Sequence, residues 1–453
     1  MAQVCGLGLL LVLLLSVAGA SMPGTVVRIN MAALNYVSEI GRAPLQRALQ
    51  VTIPYFLDQS GETLQPTRIQ IRNVVVPHLH LNFVADLGIH MSATANFTFQ
   101  IFRASEPLEL MLPVVLLADA RVAQGSIGTP VVSISACFSR FGHASVFDGS
   151  NSTAAPALLV PVQKHIKAVL RNKCSEEVLE DASKEICLSI SNLVQGLNVH
   201  LGTLIGLNPV GPESQIRYYM TDAPTVTSDC ISLDINAILF LLGKPIVLPK
   251  DATRFTLPPD MGTTDTMVTV GISQHMFDST FLLLQKAGTL NLDVTGHLVA
   301  RQFPEPRPLV LKVRLGATPV ATLRTNNAML RLQPFVEVLV PASNSAFQSL
   351  FSLDVVVNLT LQLSVSKVRL QATTSVLGDV QLTVASSNVG FIDIDQVHKL
   401  VGTVFEKPLL DHLNALLGIG LALPNVVNLF YANPEVFVHE GYVVISSGLS
   451  YQR

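Results

Sequence analysis

The chain has 453 residues, of which 49% are hydrophobic and only 13% charged, with a formal net charge of −3. Basic and acidic side chains number 14 and 14 over residues 21–220, and 15 and 18 over residues 221–453, so neither half supplies the basic field that nucleic acid or anionic lipid headgroups attract. The length exceeds one ordinary core and implies two domains of about 200 residues each.

Residues 7–17 form an apolar run followed by Ala18-Gly19-Ala20, a small-residue cleavage site. The pattern predicts a signal peptide over 1–20 and a secreted protein, with retention in the endoplasmic reticulum or Golgi lumen as the alternative. Later apolar runs fall short of a membrane helix: Lys244 interrupts 237–248, and 415–427 is short and contains Pro424 and Asn425. Membrane contact is therefore read as peripheral. Behind the leader stand Cys137, Cys174, Cys187 and Cys230, too widely spaced for a zinc knuckle, and an oxidising compartment predicts one or two disulfides. Sequons at Asn96, Asn151 and Asn358 mark exposed positions if glycosylated.

The first element is "VVRINMAALNYVSEIGRAPLQRAL", residues 26–49. Leu34, Val37 and Leu45 recur at helical spacing with small Gly41 completing the stripe, which predicts an amphipathic helix over 31–49, kinked or broken by Pro44. From 67 to 103 the sequence alternates, and "LGIHMSATANFTFQIF" sets Ile89, Ala93, Ala95, Phe97 and Phe99 on one face with Asn96 on the other. Strands are expected at 108–117 and 131–138. Residues 162–205 carry apolar side chains every three or four positions, a span that implies two helices or a bent one. Pro209, Gly211 and Pro212 begin a linker over 209–230.

The plan then repeats. Strands are expected at 231–240, 267–273, 290–300, 309–315, 321–333, 368–376 and 380–386, and "VVVNLTLQLSVSKVRL" alternates most strongly, with Asn358 facing out. Residues 395–417 form a second broad apolar stripe including Leu400, Val404, Leu413 and Leu417, with Asp395 as N-cap and Gly418 or Gly420 as stop. Each half thus reads as α+β: a long twisted antiparallel sheet whose apolar face is covered by amphipathic helices. The two stripes are expected to do the same work, Val37 and Leu45 matching Val404 and Leu413.

The opening stretch, the segment "RYYMTDAPTVTSDCISLDI" and the ending "LPNVVNLFYANPEVFVHEGYVVISSGL" together resemble the BPI/LBP/PLUNC superfamily, in the pattern of its long two-domain family B members. The resemblance spans residues 22–453. It implies an elongated boomerang of two similar barrels, 21–208 and 231–453, joined by a central sheet, each with helices lining an apolar pocket. Some members hold phospholipid there, and a related member carries neutral lipid. For this chain the resemblance implies binding of phospholipid or another acyl lipid by Leu34, Val37, Gly41 and Leu45 in one barrel and Leu400, Val404, Leu413 and Leu417 in the other. It also implies a disulfide from Cys137 to Cys187, with Cys174 as the alternative partner. The cationic tip of the bactericidal members has no counterpart in the 14-to-14 charge count. The alternative function is a lumenal or extracellular interaction protein, serving secretory traffic or epithelial defence, with lipid as structural filler.

Other chemistry is weakly supported. His78, His80 and His90 lack ligand spacing, and Asp393 and Asp395 read as an edge and a cap rather than calcium ligands. No nucleophile elbow, phosphate loop, dinucleotide fingerprint or His-Glu-x-x-His motif occurs, so neither an enzyme nor a cofactor other than bound lipid is expected.

Overall fold

The computed structural model describes residues 24–53, 56–57, 66–102, 108–147, 156–170, 185–246, 255–258, 265–298, 307–341, 347–401, 406–425 and 429–452. The predicted signal segment, Asn151, Cys174 and Val404 lie outside them, as does the side chain of Leu400.

The N-terminal part runs β1 (Thr25–Asn30), α1 (Met31–Ile40), α2 (Arg42–Ala48), β2 (Pro66–Val84), β3 (Gly88–Phe102), β4 (Leu108–Gln124), β5 (Pro130–Phe141), α3 (Pro156–Leu170) and α4 (Glu185–Leu201). β6 (Ser214–Met220) and β7 (Cys230–Leu241) follow. The C-terminal part runs β8 (Val268–Ser273), α5 (Gln274–Lys286), β9 (Leu292–Leu298), β10 (Arg307–Leu315), β11 (Val320–Arg324), β12 (Asn327–Leu332), β13 (Pro334–Pro341), β14 (Phe347–Ser366), β15 (Arg369–Val376), β16 (Gln381–Ser387), α6 (Ile394–Val401), α7 (Lys407–Ile419), β17 (Leu429–His439) and β18 (Tyr442–Tyr451).

Three antiparallel sheets result. β2 to β5 form the N-terminal sheet in sequence order, and β9-β10-β13-β14-β12-β11, with β15 and β16 also on β14, form the C-terminal one. Between them lies a central sheet in the order β17-β18-β8-β1-β7-β6. These are the two sheets, with helical covers and a joining sheet, that the alternation and the resemblance predict.

Two-residue periodicity carries into burial. In β3, Ala93, Ala95, Phe97, Phe99 and Ile101 point into the core while Asn96 faces outward, and in β14 Asn358 faces outward between buried Val357 and Leu359. Strands this long bend through bulges. In β2 the register against β3 shifts between Val75 and His78, at Pro77, which has no N–H to give the ladder. In β17 it shifts between Ala432 and Glu435, at Pro434.

The central sheet explains how the halves are related. β1 pairs antiparallel with both β7 and β8. α1 follows β1 directly and α5 follows β8 directly, so two adjacent, oppositely directed strands launch their helices toward opposite ends. The partner of the opening helix is therefore α5, not the 395–417 stripe, and the sequence reading places no helix at 274–286. Residues 209–230, read as a linker, carry β6 and the short strand Thr225–Val226 of this sheet.

Three further differences are local. The run at 321–333 is a hairpin, β11 and β12, because Asn326 takes φ 59 and turns the chain. The 162–205 span, expected as two helices or a bent one, carries α3 and α4 among its described residues, with α4 starting at Glu185. Asp393 rather than Asp395 caps α6: its Oδ1 accepts from the Asp395 N–H at 3.1 Å. The 395–417 stripe is likewise two helices, α6 and α7.

Hydrophobic burial divides into two main clusters. The larger joins the central sheet to the C-terminal sheet, α5 and α7, while the smaller fills the N-terminal sheet under α2, α3 and α4. Leu34 belongs to the first and Leu45 to the second, so the opening helix pair ties the two cores together.

Candidate functional site

The C-terminal sheet leaves β11 and β15 at its margins, and each is covered by a helix. α5 is held on β11 by side chains that satisfy edge amides: Leu323 N donates to Gln274 Oε1 at 3.1 Å and Ala321 N to Asp278 Oδ1 at 3.2 Å. Burial pushes the Asp278 carboxyl above the usual range, and the Ala321 N–H acts against that shift. On the other margin, Asn414 of α7 accepts from Thr374 N at 2.7 Å and Thr374 Oγ1 at 2.9 Å. Gln371 Nε2 donates to Gly418 O at 2.6 Å, and Arg369 Nη1 donates to Ile419 O at 3.2 Å and Gly420 O at 3.0 Å. The last carbonyls of α7 are thus satisfied by strand side chains, one of them cationic, as the helix dipole favours. Gly420 takes φ 74, and a Cβ there would stand 2.8 Å from Leu370 O, so only glycine lets the chain turn back onto β15.

Between α5 and α7 lies an apolar slot of about 50 Å³, room for about four waters by volume. α5 contributes Phe277, Thr280, Phe281 and Leu284. The floor is Leu361 and Leu363 of β14 with Leu370 and Ala372 of β15, and α7 closes the far side with Leu416 and Leu417. Val210 and Gly420 stand at the end nearest the central sheet. Tyr218 anchors that end, its hydroxyl donating to Ala422 O at 2.5 Å.

The predicted residues are placed unevenly. Leu417 lines the slot, and Leu413, on the same helix, is buried in the core beside it. Leu34 and Leu45 are buried, but in two separate clusters and not around this slot. Val37 is 39% exposed, which corrects the predicted stripe. The buried face of α1 is Ala33, Leu34 and Ser38, and Ser38 tolerates burial because its hydroxyl donates to Leu34 O at 2.8 Å and accepts from Leu81 N at 3.1 Å. Gly41 is a close approach: a Cβ there would lie 2.7 Å from Val37 O and 3.3 Å from Leu79 Cδ2. The α1/α2 break falls beside it, one turn before Pro44. Accordingly, Val37→Asp is expected to change stability by no more than about 0.5 kcal/mol, whereas Gly41→Leu costs about 1 to 3 kcal/mol through overpacking. Urea titration of both variants checks the contrast.

The reading missed Phe277, Phe281 and Leu284. Their spacing is the helical signal, but 13 residues bounded by strands made a weak window. The stronger clue was positional, since a strand entering a helix at 268–286 repeats the strand and helix at 25–40.

Tyr218 gives a pH test. It is 1% exposed, and burial, helped by Tyr431, raises its hydroxyl well above the usual 10.0. Below pH 10 both folded and unfolded chains keep the proton; above it only the folded chain does, so stability is lost as pH rises. Tyr218→Phe should cost about 1 to 3 kcal/mol near neutral pH by leaving Ala422 O unpaired. That deficit should shrink by about 1.4 kcal/mol per pH unit above pH 10, read by denaturant titration across the series.

The predicted disulfide is present between Cys137 of β5 and Cys187 of α4, with Cα atoms 6.0 Å apart. Among the described residues Cys230 is free and half-buried. His78 and His80 are exposed on β2, and His90 pairs with Asp119 across β3 and β4 at 2.6 Å. Among the described residues no group of three His, Cys, Asp or Glu side chains could hold a metal ion, and no helix is long and apolar enough to cross a membrane.

The N-terminal domain model of the LBP / BPI / CETP family matches residues 33–197 and its C-terminal domain model matches residues 211–451. The chain is 72% identical to BPI fold-containing family B member 2 of Homo sapiens over 470 aligned residues and 58% identical to that of Mus musculus over 475, with all of each chain covered. It is similar in fold to the crystal structure of lipopolysaccharide binding protein, with 18% identity, a TM-score of 0.56, and 96% of this chain and 100% of that one covered. With both domain models matched over most of the chain and the fold they describe in place, the chain belongs to the LBP / BPI / CETP family.

Proposed function

We propose that the protein binds an acyl lipid, with the chain seated between α5 and α7 against the floor of β14 and β15. The observation that carries this reading is the slot itself: an almost wholly apolar lining between two helices and a sheet, with Thr280 and Gln371 as its polar side chains. Such a lining needs no directed polar group for affinity, since each methylene withdrawn from water contributes about 0.8 kcal/mol. At about 50 Å³ the slot takes a few methylenes, so a full tail enters by parting α7 from α5. Their connection across the slot is slight among the described residues: besides apolar contact, His412 of α7 donates to Thr289 O beyond the end of α5 at 2.8 Å. The protein acts in the secretory pathway or outside the cell, a setting supported by the disulfide.

Solvent extraction of the purified protein followed by mass spectrometry should recover acyl lipid, and stripped protein should take it up again from vesicles. Stripped, folded protein that takes up no lipid class would overturn the proposal.

A further inference from the structure

The end of the slot nearest the central sheet is cationic. Arg369 opens β15 beside the slot residues Leu370 and Gln371, and Lys367, exposed, stands in the tight turn just before it with φ 56. One nitrogen of the Arg369 guanidinium is fully used: Nη1 donates to Pro209 O at 3.1 Å, Ile419 O at 3.2 Å and Gly420 O at 3.0 Å, which locks the plane of the group at the slot's rim, since Gly420 is itself a lining residue. The other two nitrogens, Nε and Nη2, donate to none of the described residues, and no described carboxylate lies within salt-bridge distance of Arg369. A cation held in place by neutral carbonyls, with donors to spare and no counter-ion among the described residues, is built like the anchor of an anionic group.

We propose that the slot selects a single-chain anionic amphiphile, its tail between α5 and α7 and its carboxylate or phosphate on Arg369, with Lys367 adding charge at the turn. This rests on the acyl-binding reading above and adds the headgroup to it. A single chain suits the slot better than two, because about 50 Å³ between the two helices takes only a few methylenes. The neighbouring polar contacts fit the same role. Gln371 and Asn414 hold α7 to β15 along its length, so the helix can lift from α5 on the slot side while the Arg369 end stays fixed. The headgroup site then survives the movement that admits the tail.

The test is competition by oleate, oleoyl lysophosphatidate and monoolein for a fluorescent fatty-acid probe, on the full-length stripped protein. The wild type is expected to bind at least one of the two anionic ligands about tenfold more tightly than uncharged monoolein, and the better of the two identifies carboxylate or phosphate as the natural head. Arg369→Met should lower affinity for that ligand by about tenfold while leaving monoolein within about twofold, and Arg369→Lys should restore part of the loss by returning the charge without the fork. Because Arg369 also caps α7, a purely structural role would weaken all three ligands together in Arg369→Met, and that result overturns the proposal. Equal wild-type affinity for charged and uncharged ligands overturns it as well and leaves acyl binding standing. Failure of every ligand to displace or bind overturns the slot reading itself.

Discussion

Ala372→Phe is expected to lower the lipid content of the C-terminal half to below about a tenth of the wild-type value, at a stability cost of about 1 to 3 kcal/mol. Ala372 is 8% exposed and lies on the slot floor opposite the α7 leucines, so the added ring occupies the space that a tail would take. Lipid loss by itself would be ambiguous, because any destabilised protein sheds a weakly held ligand. Ile101→Val, in the N-terminal core at 2% exposure, supplies the control: it should cost about 0.5 to 1.5 kcal/mol and leave lipid content unchanged. The two clusters are separate, so each change should stay in its own half. Lipid counting by native mass spectrometry, paired with melting curves, reads both effects. Full lipid occupancy in a folded Ala372→Phe protein would remove the slot from consideration as the binding site.

Cys137→Ser should produce the largest loss of stability, about 4 kcal/mol for the loop of 50 residues that the bond closes, on the chain-entropy account. The reason lies in how little else holds α4. Its first turns bury Ile186, Cys187 and Ile190, but Leu193, Leu197 and Val199 further along are exposed. The last turns depend on Asn198, which accepts from Val132 N and donates to Val132 O, both at 2.8 Å, and so closes the edge strand β5. Without the disulfide, the burial of Ile186 and Ile190 and this clamp have to keep the helix on the sheet. The N-terminal transition in calorimetry should fall by about 10 °C while the C-terminal one stays put. An equal fall in both transitions would show that the cores unfold as one, and peptide mapping that joins Cys137 to Cys174 would refute the pairing directly.

Much of the architecture was legible in order along the chain. Alternation from Ile89 to Phe99 and from Val355 to Val365 set both strand and face, because a two-residue period with one wet side leaves no other arrangement. Asn96 and Asn358 fell outward for the same reason. The α1 stripe was less secure. A helix turns 100° per residue, so Val37 and Ser38 are both near the edge of a face defined by Leu34 and Gly41, and hydrophobicity favoured Val37. Two hydrogen bonds decided for Ser38, one of them from Leu81, 43 residues away.

By itself, then, the sequence determined two long antiparallel sheets, the apolar stripes meant to cover them, the outward faces of Asn96 and Asn358 and, through resemblance, the bond from Cys137 to Cys187. Only the tertiary structure decided which helix covers which sheet. That assignment follows from β1 being paired between β7 and β8, contacts across more than 200 residues that no local period encodes. The slot is of the same kind. Val210, Phe281, Leu363, Ala372 and Leu417 come from five segments, and each obeys its local pattern as an ordinary buried or partly buried residue. A period records which face leaves water; what that face meets, and whether a gap remains between the two, is fixed when the helices on β11 and β15 are drawn over one sheet.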